Sequence, residues 1–278
     1  MNRLHYYLIL ALMACPVTAN RCFSSTIPDK GEETTTSFTN NEKDAADDEN
    51  SSITVNGVTF KMIRVKGGTF TMGATPEQKK DAKKGEKPAH EVTLSDYYIA
   101  ETEVTQELWE AVLGKDENHS DHKGADHPVE AVSWEDCDYF ITKLNELTGR
   151  QFRFPTEAEW EFAARGGCKS KGYKYSGSNN LSEVAWYNDI ISGTHPVKGK
   201  APNELGIYDM SGNVDEYCND YYGRYSKGSQ TNPKGPADGG SYVIRGGNFC
   251  GEASECRVSS RGSTVGYIFS SLGFRLAM

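Results

Sequence analysis

The stretch FRFPTEAEWEFAARGG, residues 152–167, predicts one short helix with both of its ends marked. Pro155 precedes Thr156, a residue type that caps helix N-termini, and Glu159 follows three positions later. That spacing predicts a capping box. Gly166 ends the pattern, as glycine commonly does beyond a helix C-terminus. The remaining elements can be placed before and after this helix.

Two further helices are predicted upstream of it. The segment TQELWEAVLG begins with the capping residue Thr105 and stops at Gly114. Ser133 caps a longer helix that runs to about Leu147, with Gly149 just beyond its end. The sequence therefore predicts three helices before residue 167.

Strands are predicted on the N-terminal side of these helices. Residues 53–73 alternate apolar and polar side chains, with Asn-Gly and Gly-Gly pairs at the bends, and predict short antiparallel strands. Residues 90–104 predict one or two more. After Gly166 the chain is rich in glycine, asparagine and aromatic residues, and such long irregular stretches need ions, disulfides or polar networks to hold them. The predicted fold class is α+β, a single domain with little regular secondary structure.

The first 52 residues differ in composition from the rest. Residues 1–19 contain one arginine followed by an apolar run and small residues, which predicts a secretory signal peptide cleaved after Ala19. The letters LMAC also match a lipoprotein signal, in which Cys15 would carry a lipid anchor, although Pro16 favours simple cleavage. Residues 20–52 are polar and acidic and predict a disordered linker, which leaves residues 53–278 as the folded domain.

Charge and hydropathy exclude several classes of function. The 278-residue chain has a formal net charge of −9 and a pI of about 5.3, which argues against nucleic-acid partners and against adsorption to anionic membranes. No run reaches the roughly 18–20 apolar residues of a membrane-spanning helix. Together with the predicted signal peptide, these properties lead us to expect an exported protein of the periplasm, outer membrane or extracellular space, with a protein or peptide partner.

Cysteines raise the question of disulfides. Six remain after the predicted cleavage: Cys22, Cys137, Cys168, Cys218, Cys250 and Cys256. An even number in an oxidising compartment favours disulfides, although sequence alone leaves their connectivity open.

Seven motifs, in order along the chain, give a family resemblance. They closely resemble the sulfatase-modifying-factor family, whose founding member is the formylglycine-generating enzyme. The family fold is a variant of the C-type lectin fold with bound calcium, and the resemblance implies a bacterial, exported member. The motifs are GGTFTMG (67–73), ETEVTQELW (101–109), HPVEAVSWEDC (127–137), FRFPTEAEWEFAARGG (152–167), LGIYDMSGNVDEY (205–217), VIRGGNF (243–249) and LGFRLAM (272–278).

The resemblance implies a calcium site in DMSGNVDE. Side chains of Asp209 and Glu216 and carbonyls of Gly212 and Val214 match the family's ligands, and such oxygens suit Ca²⁺. Without the resemblance, a solvated acidic turn is an equal alternative. A weaker second site would use Asp189 and the carbonyl of Ile191, where a further side-chain ligand is missing.

The resemblance also identifies Cys250 and Cys256 as candidate catalytic thiols. In the family enzyme two cysteines after Gly-Gly, spaced C-x4-C, hold copper. The enzyme uses oxygen to convert a sulfatase cysteine to an aldehyde. Here the spacing is C-x5-C, Asn248 stands at the family's serine, and Asp215 at its tryptophan.

Two hypotheses follow from these departures. The favoured one is a calcium-stabilised binding or assembly module of the cell envelope, in which Cys256 pairs with Cys218 or Cys250. The alternative is a copper-dependent formylglycine-generating oxidase acting on a sulfatase, with both thiols free.

Two other groups have competing interpretations. Glu157, Glu159 and Glu161 are predicted to cap the helix and form salt bridges rather than act as acid and base. The tyrosines of residues 217–225 either pack the core, which is favoured, or line a groove.

Overall fold

The three predicted helices begin and end where their capping residues place them. Helix α1 (Gln106–Leu113) is capped by Thr105, and α2 (Trp134–Thr148) by Ser133. Helix α3 (Glu157–Ala164) has the capping box of Thr156 and Glu159. A short helix, α4 (Leu181–Val184), follows in the glycine-rich half and was not predicted. Capping chemistry therefore fixes the boundaries of the longer helices.

The computed structural model describes residues 50–266 and 268–278, apart from the side chain of Lys79. The predicted signal peptide, Cys15 and Cys22 lie outside the described residues, as does the linker up to residue 49. No helix in the described part of the chain is long and apolar enough to cross a membrane.

Ten short strands in the described part of the chain complete the α+β fold. The first begins two residues before the predicted domain boundary, because Ser51 and Ser52 pair with Met62 and Lys61. The Asn56–Gly57 bend has positive φ at both residues, as predicted for a tight hairpin. The strands are β1 (Ser51–Val55), β2 (Val58–Val65), β3 (Gly68–Met72), β4 (His90–Leu94), β5 (Tyr97–Ala100), β6 (Asp215–Tyr221), β7 (Gln230–Thr231), β8 (Tyr242–Arg245), β9 (Gly262–Thr264) and β10 (Leu272–Phe274).

These strands form three small sheets. One has the order β1-β2-β5 and is antiparallel throughout. A second, β3-β4-β7, ends in a parallel pair. The third, β10-β6-β8-β9, carries β10 parallel to β6. The predicted calcium motif enters β6, and the Gly-Gly pair follows β8, so the third sheet positions the candidate site.

Residues 272–278 connect separate parts of the fold. Strand β10 pairs with β6, while Ala277 bridges both Ile99 and Arg153. The Phe274 carbonyl accepts from the Val104 amide at 2.9 Å. Phe274 itself is fully buried in an aromatic cluster. The members of this cluster are Trp109, Phe140, Phe154 and Phe274.

A network of buried ion pairs holds the loop-rich half, which matches the expectation that irregular backbone needs polar support. We call it the arginine network. It comprises Arg165, Arg245, Arg257 and Arg261 with Glu86, Glu157 and Glu161. Two of its carboxylates lie on α3, which confirms the predicted salt-bridge role of that helix.

Bidentate contacts run through the arginine network. Arg257 donates to both Glu86 oxygens at 2.6 and 2.9 Å, and Arg261 to both Glu157 oxygens at 2.5 and 2.7 Å. Arg245 pairs with Glu161 with both side chains fully buried. Such paired, hydrogen-bonded charges are the form in which charge is tolerated in a core.

Candidate functional site

The Gly246–Gly247 turn forms one wall of the candidate site. Both residues have positive φ, at +102° and +72°. A Cβ at Gly247 would lie 3.0 Å from the Cys256 amide nitrogen and 3.1 Å from Cys256 Sγ. The backbone therefore approaches the cysteine so closely that only glycine fits there.

Cys256 is a buried thiol. It is fully buried in a small apolar cluster with Tyr175, Leu181 and Val184, and its Sγ lies 3.9 Å from the carbonyl oxygen of Glu252. Burial, with a smaller contribution from Asp215, raises the pKa of this thiol to about 12. The surroundings therefore favour the neutral thiol, which is neither a good nucleophile nor a good metal ligand.

Cys250 lies in a different environment. The residue is exposed, and its Sγ is 3.1 Å from Oδ1 of Asn248, which also accepts the Cys250 amide at 3.1 Å. Partial burial, together with the negative charge of Asp215, raises the pKa of this thiol above its usual value. The exposed thiol of Cys250 and the buried thiol of Cys256 thus contact different oxygen atoms.

Two of the sequence departures contact each other. Asn248 Nδ2 donates to Oδ2 of Asp215 at 2.6 Å, which joins the position of the family's serine to that of its tryptophan. Burial raises the pKa of Asp215 to about 7 despite this hydrogen bond. An Asn–Asp pair therefore occupies the positions where the resemblance implies a Ser and a Trp, and its Asn248 contacts Cys250.

The expected disulfides are absent among the described cysteines. Cys137, Cys168, Cys218, Cys250 and Cys256 are all free. The predicted pairing of Cys256 with Cys218 or Cys250 is wrong for this structure. Cys218 packs in one core cluster and Cys256 in another, while Cys250 is held at the surface by Asn248.

The predicted calcium residues come together beside the Gly-Gly turn. Asp209 and Glu216 are buried, and the Gly212 amide donates to the Gly246 carbonyl at 3.0 Å. A Cβ at Gly212 would lie 2.2 Å from the Trp186 carbonyl oxygen, so this turn also requires glycine. Val214 is fully buried just before β6.

Glu103 is a buried carboxylate of this cluster that the sequence analysis missed. It is 1% exposed and accepts from Asn213 Nδ2 at 3.0 Å and from the Val214 amide at 3.3 Å. Burial, then the charges of Asp209 and Glu216, raise its pKa well above the usual value. The available signal was the acidic pair of Glu101 and Glu103 within the ETEVTQELW motif.

The donor set fits a hard cation in its chemistry and charge. Glu103, Asp209 and Glu216 share the charge of Arg275, which donates to both Glu216 oxygens at 2.5 and 2.6 Å, and Trp160 Nε1 also donates to Glu216 at 2.7 Å. Burial raises the pKa of Asp209 to about 6, although a hydrogen bond from the Lys198 amide and the charge of Arg275 lower it. We call Glu103, Asp209, Glu216 and Arg275 the acidic cluster. Among described residues, no three His, Cys, Asp or Glu side chains are arranged to hold a metal ion, so backbone carbonyls would have to contribute.

The second predicted calcium site is open to solvent. Asp189 accepts from the Ser192 amide at 3.1 Å and from His195 Nε2 at 3.3 Å. Ile191 is 98% exposed. The structure therefore places a hydrogen-bonded surface turn at this position.

Comparison with known proteins identifies the family. A family model of the "Sulfatase-modifying factor enzyme 1-like domain" matches residues 46–278. The chain belongs to this family. The predicted resemblance is confirmed over the whole described domain.

Curated relatives of this sulfatase-modifying-factor chain differ in what they are named for. The "Chaperone protein LppX" of Paenibacillus barcinonensis is 37% identical over 58% of this chain and 71% of its own length. The "Formylglycine-generating enzyme" of Streptomyces coelicolor is 30% identical over 77% of this chain and 88% of its own. The "Serine/threonine-protein kinase pkn1" of Chlamydia pneumoniae is 30% identical over 78% of this chain, but the match spans only 38% of that kinase. Family membership therefore does not fix an activity.

Solved structures support the predicted fold. "Treponema denticola variable protein 1" superposes with a TM-score of 0.73 at 33% identity, covering 82% of this chain and 98% of that one. PvdO from Pseudomonas aeruginosa superposes with a TM-score of 0.64 at 25% identity, covering 78% and 93% of the two chains.

Proposed function

We propose that this protein is a calcium-stabilised binding or assembly module of the bacterial cell envelope and lacks the family's oxidase chemistry. The proposal rests on the hydrogen bond between Asn248 and Asp215, because these two residues stand where the family enzyme has serine and tryptophan. In addition to burial, the Asp215 carboxylate raises the pKa of both candidate thiols, Cys250 and Cys256.

Copper does not fit the thiols as they stand. Cu(I) binding needs two thiolates that converge on one ion. Here Cys256 is buried with a pKa of about 12, and Cys250 contacts Asn248 at the surface. Deprotonating both would place two more negative charges beside Asp215 and Glu255, which the surroundings disfavour.

The named relatives support a binding role without defining the partner. A chaperone and a variable protein are among the similar chains, at 37% and 33% identity. The partner we propose is a protein or peptide of the envelope. Export of the chain, through the signal at residues 1–19 with or without lipid at Cys15, belongs to the same proposal.

Copper titration of the reduced protein without residues 1–19 tests the missing chemistry. We expect no Cu(I) binding that depends on Cys250 and Cys256, and no aldehyde mass shift in a cysteine-containing sulfatase peptide incubated in air. Cys256→Ala should then behave as the wild type does. Cys168→Ala is the matched control for Cys250→Ala, because Cys168 is also an exposed, free cysteine.

An oxidase is the second candidate, favoured by the free state of both thiols and by the relatives named as formylglycine-generating enzymes. One copper per chain, lost in Cys256→Ala but retained in Cys168→Ala, together with an aldehyde product, would establish it and overturn the proposal.

Export has its own test. Fractionation of cells carrying the full chain should place it outside the cytoplasm, and Cys15→Ser should release it from membranes only if a lipid anchors it. A wholly cytoplasmic chain would contradict the envelope assignment.

A further inference from the structure

Arg261 lines a cavity that contains none of the candidate thiols or predicted calcium ligands. Its volume is about 280 Å³, near the lower end of small-ligand sites. Segment 223–236, which we call the flap, forms one side, and the end of β6 forms the floor. The proposed binding function uses none of these residues.

Asp220 provides a buried carboxylate at the floor. It is 4% exposed, and its Oδ2 accepts the Glu157 amide at 2.9 Å. Its Oδ1 has no hydrogen-bond donor among the described residues, and no described Lys, Arg or His pairs with it. Burial, followed by the charge of Glu157, raises its pKa to about 7. A buried carboxyl group in this state is neutralised either by a proton or by a cation.

Gly235 packs directly against the Asp220 side chain. Its φ is +71°, and a Cβ there would lie 2.8 Å from Asp220 Cβ and 3.0 Å from Asp220 Oδ1. Only glycine allows the backbone of the flap to approach the carboxylate this closely.

His90 and the tyrosines complete the inner wall. His90 Nδ1 lies 3.2 Å from the Pro88 carbonyl oxygen, which can only accept, so Nδ1 is the donor in this hydrogen bond. The His90 ring packs against Tyr225 with centroids 4.8 Å apart, and Tyr221 also lines the cavity. A carboxylate and aromatic faces together suit an ammonium group.

Positive charge surrounds the opening. Arg224 and Lys234 lie on the flap, are exposed, and line the cavity. Neither makes a hydrogen bond or ion pair within the described part of the chain. The flap contains three basic residues and no acidic one, the third being Lys227. A purely cationic ligand would be repelled at the opening, whereas an acidic group would be held there.

We propose that this cavity binds a small zwitterion, with its ammonium on Asp220 and its acidic group between Arg224 and Lys234. Two contacts attach the flap to the rest of the fold: Arg261 Nη1 donates to the Gly223 carbonyl at 2.7 Å, and Gln230 and Thr231 pair with β4.

Calorimetric titration with a matched series of probes tests the site. The probes are 4-aminobutyrate and 6-aminohexanoate, with hexylamine and hexanoate as molecules that carry one charge each. We expect one of the amino acids to bind at least about tenfold more tightly than either single-charge probe. A single-charge probe loses the hydrogen bonds at one end, and the loss of one hydrogen bond to a charged group weakens binding by about that factor. Equal binding of hexylamine, or no binding of any probe, would overturn the proposal.

Variants locate the binding. Asp220→Asn should lower the affinity about tenfold or more, while Asp238→Asn, an exposed carboxylate near the flap, should not. Arg224→Ala should remove the preference for the amino acid over hexylamine. Because Arg224 is exposed and without contacts, this variant keeps the test valid even if Asp220→Asn fails to fold. An unchanged preference in Arg224→Ala would overturn the assignment.

Discussion

The arginine network and the acidic cluster bury similar numbers of carboxylates but balance them differently. In the arginine network, each carboxylate faces at least one guanidinium, and Glu161 contacts both Arg165 and Arg245. In the acidic cluster, three carboxylates share Arg275. The arginine network is neutralised by its own residues, so we expect it to stabilise the fold alone. The acidic cluster is not, so we expect its stability to depend on an added cation or on protons.

The pKa shifts express the same difference. Burial alone would raise the pKa of Glu86, but hydrogen bonds from Arg257 and Ser259 outweigh it and hold the pKa below the usual value. Burial raises the pKa of Asp209 to about 6, because its nearest donor is only a backbone amide, that of Lys198 at 2.8 Å. Similar burial therefore gives opposite outcomes, depending on the supply of positive charge.

The largest expected effect is loss of an arginine from the balanced region. Arg245→Ala would leave Glu161 and Glu157 buried without this partner, and we expect it to lower the free energy of unfolding by about 3–5 kcal/mol. Urea denaturation measures this directly. A loss below about 1 kcal/mol would mean that the two regions do not differ as argued.

The pH dependence should separate the regions next. Asp209 has an ordinary pKa of 3.8 and a folded pKa of about 6, so the folded state holds more protons over that window. Stability in EDTA should therefore fall as the pH rises from 3.8 to about 6, by about 3 kcal/mol from this residue, since each pKa unit corresponds to about 1.4 kcal/mol.

Asp209→Asn should remove that part of the slope. Glu86 acts in the opposite sense: its pKa is lowered below 4.5, so its contribution is lost as the pH falls below that value. An identical slope in wild type and Asp209→Asn between pH 4 and 6 would show that Asp209 is not held as described.

Calcium should stabilise the acidic cluster specifically. At a hundredfold excess over its dissociation constant, a ligand bound only by the folded state adds about 2.7 kcal/mol. We expect calcium to raise the unfolding temperature of the wild type and to do so much less in Glu103→Gln and Asp209→Asn. Arg153→Ala serves as the control variant, since its position lies outside the cluster. A calcium effect of equal size in all of these proteins would contradict the assignment.

The smallest effect is expected from an ion pair at the surface. Arg153 is bidentate with Glu159, but its side chain is 42% exposed, so Arg153→Ala should change the unfolding free energy by only about 0–1 kcal/mol. Thermal denaturation of Arg153→Ala and Arg245→Ala under the same conditions compares the two losses of stability. A loss as large as that of Arg245→Ala would show that burial is not what separates the two arginines.

The sequence allowed the helices and the hairpin to be predicted, because each depends on nearby residues. Thr156 and Glu159 define a helix end by themselves, and Asn56–Gly57 a turn. Arg275 and Glu103 reach the acidic cluster from segments far apart in the chain, and no local pattern indicates that they meet. The cysteine pairing was wrong for the same reason, since packing separates Cys218 from Cys256.

The placement of residues 272–278 has a consequence for synthesis on the ribosome. Leu272 pairs with Asp215, Arg275 neutralises Glu216, and Ala277 bridges Ile99 and Arg153. These contacts join segments made much earlier to residues made after them. The nascent chain therefore cannot close its core until residues 272–278 have left the ribosome. We expect core folding to wait for that moment, with Glu216 lacking its guanidinium partner until Arg275 emerges.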